Sequence, residues 1–230
     1  MPSLVLCAHG TANVAGQQVV VDLLEMTRSA LPDIRVEAAH VDVQEPGPGE
    51  VVAGLYDRAD PPVIVPLLLS TGFHVEVDIA QVVQAHPGTR ATDALGPSAL
   101  IADLMIDRLA QAGATDADAV VFAAAGSSRA RAARDAEQAA ALVRARRTAG
   151  AGPLLLAYGS AGTPTIPDAI AQLREQGAER VVIGSYLLGP GFFHDKLQRA
   201  GADLVTAPLG ADERIVQQAV LRYREALATR

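Results

Sequence analysis

Apolar residues along the chain fall into two kinds of run that take turns. Short runs rich in Val, Leu and Ile, SLVLCAH, IRVEAAHVDV and PVIVPLLL, are each followed by a longer stretch in which apolar positions return every three to four residues: VAGQQVVVDLLEMTRSAL, GEVVAGLYDRA and VEVDIAQVVQAH. TRATDAL and SALIADLMIDRLAQAG complete the series. The short runs are too continuously apolar to be half exposed, so they predict strands covered on both faces, and strands separated by helices pair in parallel. The pattern predicts an α/β fold with a doubly wound parallel sheet.

The same pattern then starts again. AVVFAAAGSSRARAARDAEQAAALVRAR repeats the opening strand, small-residue turn and long helix, and PLLLAYGSAGTPTIPDAIAQL and RVVIGSYLLGPGFFHDKL parallel the second and third units. Gly126 follows Gly10 by 116 residues, Pro164 follows Pro46 by 118, and Gly191 follows Gly72 by 119. So small a drift marks an internal duplication with a few loop residues gained, and the boundary is expected within AGATDAD, at Gly113 to Asp118. The expectation is two similar α/β halves, residues 1–114 and 115–230, facing each other across a cleft, with the chemistry in the first.

Composition narrows the classes. In 230 residues, 50% are hydrophobic and 20% charged, enough to bury a core. The net charge of -7 argues against a nucleic-acid surface, which needs a basic face to neutralise phosphates. A single cysteine, Cys7, allows no internal disulfide, and the opening MPSLVLCAHG has no basic segment and too short an apolar run for a signal or a membrane span. A cytoplasmic protein without a membrane partner is expected, and a monomer, because both halves lie in one chain.

The candidate chemistry lies where strands end. His9 follows the first strand, Asp42 closes the second and His74 comes just after the third, so in a parallel sheet all three emerge on one edge, where open α/β sheets bind ligands. With a strand order beginning 2-1-3, His9 is central and the others flank it on strands about 4.8 Å apart. Two imidazoles and a carboxylate suit a borderline divalent metal and leave positions open for a substrate. The second copy has Ala125 in place of His9, Ser160 in place of Asp42, and Phe193 opposite His74, with His194 one residue late. His40 reads as a packed histidine, His86 as a loop residue and Cys7 as core.

The set LVLCAHGT, HVDVQEP and VPLLLSTGFHVEVDI resembles the sirohydrochlorin chelatase family, the class II chelatases that insert a divalent metal into a reduced tetrapyrrole without ATP, and GSYLLGPGFFHDKL is similar to the second-half version in its long, two-repeat members. The resemblance covers essentially the whole chain. It implies a chelatase-like fold and a lyase activity, with His9 and His74 as catalytic residues and His9, Asp42 and His74 as the metal set. The family usually has Glu where this chain has the shorter Asp42. The resemblance further implies sirohydrochlorin as the tetrapyrrole substrate and no prosthetic group. The metal is itself a substrate: Fe2+ first, giving sirohaem, then Co2+ for a cobalamin route, or Ni2+.

Residues expected to touch the ring or its carboxylates are Gly10, Thr11, Ser70, Thr71, Gly72, Phe73, Arg129, Gly191, Phe192 and His194. Ser70 or Thr71 would cap the helix after the third strand, while Arg131, Lys196 and Arg199 would join Arg129 in balancing the substrate's negative charge. Two other classes lack their residues: a histidine phosphatase needs Arg before the histidine, where Ala8 stands, and an α/β-hydrolase needs a Gly-x-Ser-x-Gly elbow, which AYGSAG does not supply. The remaining rival is a metal or tetrapyrrole carrier that kept the site without turnover.

Overall fold

Strand β1 (Leu4–Ala8) is buried along its whole length, as its unbroken apolar run predicts. Val5 and Cys7 face one side, into a cluster with Ala39, Val52, Ile64 and Ile79. The computed structural model of the protein describes residues 1–228; residues 229 and 230, at the end of the second repeat, lie outside the described residues.

Beside β1 lie β2 (Val36–His40) and β3 (Val63–Pro66), with β4 (Arg90–Ala91) outermost, in the order β2-β1-β3-β4 and all parallel. Ala8 pairs with His40 and Cys7 with Pro66, so the three strands stop at one level. The connections are α1 (Val14–Ala30), α2 (Pro48–Leu55) and, between β3 and β4, a π-helical turn (His74–Ile79) continuing as α3 (Ala80–Ala85). Asn13 caps α1 by accepting from Gly16 N at 3.1 Å, and a proline opens α2, where a missing N–H is harmless.

The second sheet repeats the first. Strands β5 (Ala119–Ala124), β6 (Leu154–Tyr158), β7 (Val181–Tyr186) and β8 (Leu204–Val205) run parallel in the order β6-β5-β7-β8, with α5 (Ala130–Arg144), α6 (Ile166–Glu175) and α7 (Phe192–Gln198) as crossovers. Ala124 pairs with Tyr158, and Ala123 with Ser185, as Ala8 does with His40 and Cys7 with Pro66. Thr165 caps α6 by accepting from Asp168 N.

The compact units do not follow the repeat. One contains Met1–Leu95 together with the chain from Ala211 onward, and the other contains Gly96–Gly210. Helix α4 (Ala99–Gln111), at the end of the first repeat, packs on α5 and β7, while α8 (Glu213–Ala228), at the end of the second, packs on α1 and β3. Close contacts fix both placements. Gly184 of β7 lies so near α4 that a Cβ there would stand 2.6 Å from Met105 Cε. On α8, the buried Tyr223 hydroxyl donates to Pro2 O, and Arg222 Nε donates to Ala94 O at 3.1 Å. Among the described residues no helix is long and apolar enough to cross a membrane.

Candidate functional site

Beyond Ala8 the chain leaves the sheet and His9 becomes exposed. The turn is possible only because residue 10 is glycine. Gly10 has φ +93, and a Cβ would fall 1.9 Å from Asp42 O. The loop after β2 is bound to this turn: Val41 N donates to Ala8 O at 3.0 Å and Asp42 N to His9 O at 2.9 Å. Gln44 Oε1 accepts from Thr11 N at 2.9 Å, while Thr11 O accepts from Gln17 Nε2 at 2.9 Å and Thr11 Oγ1 from Asn13 N at 3.1 Å. Thr11 therefore anchors the start of α1. Gln44, whose role the sequence did not disclose, is the side chain that fixes this loop.

Strand β2 ends at His40, whose N–H goes to Pro46 O, so Asp42 lies two residues beyond the strand in a turn. Gln44 N donates to Asp42 O at 2.7 Å across Val43, which has φ +63 and is 60% exposed. That is a γ-turn with a β-branched residue in the left-handed region, a conformation that stores about 1–3 kcal/mol of strain. The Asp42 carboxylate accepts from Val43 N at 2.8 Å, within its own turn.

After β3 the chain passes through Ser70 and the buried Thr71 to Gly72, Phe73 and His74. The expected cap is not formed: Phe73 occupies the cap position without a side-chain bond, because Gly72 N turns back to Ser70 O and Gly72 O already accepts from Glu76 N. His74 brings its imidazole to His9, with ring centroids 4.6 Å apart and planes at 86°. Phe73 is 45% exposed, its ring 5.9 Å edge-on to His74.

Both histidines use Nδ1 on an oxygen. His9 Nδ1 lies 3.1 Å from Gly10 O, and His74 Nδ1 lies 2.6 Å from Asp78 Oδ2. Carbonyl and ionised carboxylate oxygens only accept, so each Nδ1 carries hydrogen, and in the neutral ring this leaves the lone pair on Nε2, the atom that ligates a metal or takes a proton. Two ligand nitrogens about 2.1 Å from one ion suit rings this close. Among the described residues no three His, Cys, Asp or Glu side chains are grouped to hold a metal ion, so the two imidazoles meet while Asp42 stays on its turn. Asp78 is the acidic neighbour that sequence reasoning missed, although the four-residue spacing in HVEVD was its signal. Burial, and then the charge of Asp78, push the Cys7 thiol up to about 12.

At the matching place in the second unit the two imidazoles and the carboxylate are replaced by Ala125, Phe193 and Ser160. Ser160 N donates to Ala125 O, as Asp42 N does to His9 O, and the Ser160 hydroxyl folds back on the same carbonyl at 2.7 Å. Ala125 and Phe193 pack on an apolar cluster that includes Leu197. The fold therefore closes this corner without imidazole or carboxylate.

The other candidates are spread over the second unit. Arg129 stands at the start of α5, its N–H on Ser127 Oγ, and Arg131 is exposed one residue into that helix. Gly191, buried at φ +155, precedes Phe192, whose ring is 70% exposed with Lys196 Nζ 5.8 Å from its centroid. Lys196 also donates to Gly159 O at 2.6 Å, and Arg199 Nε to Asp195 O at 3.0 Å. His194 Nε2 lies 3.1 Å from Thr206 O, a bond that ties that imidazole to the chain beyond β8.

A family model, CbiX, matches this sequence twice, over residues 3–112 and 119–226. No curated protein matches it. Among solved structures, SirB from Bacillus subtilis with Fe3+ aligns over 98% of this chain and 95% of its own, with 20% identity and a TM-score of 0.78. The sirohydrochlorin chelatase SirB from Bacillus subtilis subspecies spizizenii in complex with cobalt aligns over 98% and 95%, with 18% identity and a TM-score of 0.76. A multi-domain protein of Deinococcus radiodurans with structural similarity to chelatases aligns over 96% of this chain and 54% of its own, with 20% identity and a TM-score of 0.69. At these identities the likeness is one of fold.

Proposed function

The chain belongs to the CbiX family, and from that premise we propose that it is a sirohydrochlorin chelatase, a lyase that inserts a divalent metal into the tetrapyrrole without ATP. The observation that carries this reading is the His9–His74 pair, 4.6 Å apart on the carboxyl edge of β1 and β3, set against the apolar Ala125 and Phe193 at the corresponding corner of the second sheet. A core histidine would be as useful in both copies. Only the first keeps them.

Metallation needs ligands that release the ion again and a base for the two departing pyrrole protons. Two neutral imidazoles do both: their Nε2 atoms hold the cation while it sheds water, and an Nε2 freed by the ion's departure takes a proton from the ring. Asp42, on the loop bonded to His9 O, balances the cation's charge through water rather than by joining the imidazoles. The exposed Phe73 beside His74 gives the flat ring an apolar seat.

Ferrous iron is the metal proposed first and cobalt second. A two-histidine site of this kind accepts both, and the SirB structures that share this fold hold Fe3+ and cobalt. The test is anaerobic absorbance of sirohydrochlorin mixed with Fe2+, Co2+ or Ni2+, with and without the protein. Metallation faster than the uncatalysed rate for at least one metal is the expected result. Tight binding of metal or tetrapyrrole with no acceleration would replace the enzyme with a carrier.

A further inference from the structure

His74 opens a helix that is wider than it needs to be. From His74 to the buried Ile79 there are five residues, and the helix between them is π-helical. In the second unit Phe193 and the buried Leu197 are four residues apart, and α7 is α-helical throughout. Both copies follow the same kind of strand, and both bury one aliphatic side chain in their core. The first unit thus carries one extra residue in this turn, and single π-helical turns of that kind occur largely at functional sites.

The widened turn lets Ile79 reach the core while Asp78 stays beside His74. The Asp78 carboxylate accepts from His74 Nδ1 at 2.6 Å, with the two side chains 34% and 29% exposed. Its charge also bears on the buried thiol of Cys7, one residue before the end of β1. As a stabilising contact this arrangement is poor: an i, i+4 pair on a helix is worth only about 0.3–0.5 kcal/mol, and the second copy has Phe193 packed on its apolar cluster where the first has His74.

We propose that Asp78 is a positioning residue, whose carboxylate holds the Nδ1 hydrogen of His74 and so fixes that imidazole in the tautomer whose Nε2 can take the metal ion. The inference rests on the reading of His74 as a metal-holding residue. A carboxylate behind a ligating histidine sets ring orientation and raises its basicity, and losing such a partner typically costs about 10- to 100-fold in metal affinity.

The test uses the full-length, metal-free protein labelled with 15N at histidine, and Co2+ alone as the probe. In the wild type the 15N spectrum places the His74 hydrogen on Nδ1. In Asp78→Ala the hydrogen moves to Nε2 or divides between the two nitrogens, Co2+ binding followed by absorbance weakens about 10- to 100-fold, and Asp78→Glu recovers most of the loss. An Asp78→Ala protein that keeps the Nδ1 hydrogen, or binds Co2+ as the wild type does, overturns the proposal. If the alanine variant fails to fold, Asp78→Leu replaces it, because leucine keeps the branching at Cγ and offers no acceptor. Neither readout needs turnover. A wild type without chelatase activity would therefore remove the functional reading and still leave the tautomer and Co2+ arms to decide on Asp78.

Discussion

Gly10 is the residue of the site with the least room to change. A side chain there would have to pass through Asp42 O, 1.9 Å from where its Cβ would stand, at φ +93. Gly10→Ala should therefore separate the β1 turn from the β2 loop at a cost of about 1–3 kcal/mol or more, read by urea unfolding; an unchanged midpoint would mean the two loops are not locked together. Cys7 makes a second prediction. Its thiol is held up at about 12 against an ordinary 9.0, first by burial and then by Asp78. The folded protein keeps this proton where the unfolded chain loses it, so the contribution to stability is intact below pH 9.0 and falls as pH rises from there toward 12. Native protein at pH 8 should leave Cys7 unmodified by a thiol reagent that reacts fully in urea; rapid native labelling would refute the burial. His40 acts in the opposite direction: burial holds its pKa below 6.5, with the charge of Glu45 working against that, so its contribution is complete above 6.5 and declines as pH falls below it.

Among the elements, strands and crossover helices were readable because each apolar run matched its period, and parallel pairing was enough to bring His9 and His74 to one edge; the order β2-β1-β3, which makes β1 central, entered the sequence reading only as a condition and is the order observed. The turns were less readable. Nothing in HVDVQEP announces a γ-turn, since Val43 belongs to the residue types least at ease with φ +63. STGFHVEVD reads as an ordinary capped helix; the π-helical turn depends on Ile79 finding its place in the core, which local sequence does not encode. Helix α8 gives the sharpest test at this scale. Tyr223→Phe leaves the helix intact but removes the hydroxyl from Pro2 O, and a buried carbonyl without its donor costs about 1–3 kcal/mol. Equal urea midpoints for the two proteins would show that this contact does not hold α8 in place.

For the whole molecule, the 116- to 119-residue offsets predicted two sheets of one design, and the matching registers Ala8–His40 and Ala124–Tyr158 show that design twice. What an offset does not reveal is which unit a terminal helix joins. Sequence similarity assigns α4 to the first copy and α8 to the second, whereas apolar packing on β7 and β3 assigns them the other way. Duplication also leaves a molecule that is its own control: one copy has imidazoles where the other has Ala125 and Phe193. The most direct measurement is therefore the rate of sirohydrochlorin metallation by His9→Ala and His74→Ala beside the wild type, under anaerobic conditions and with the fastest metal. Each variant should fold normally and lose about 100-fold or more of the acceleration. A variant of either histidine that metallates at the wild-type rate would contradict this expectation.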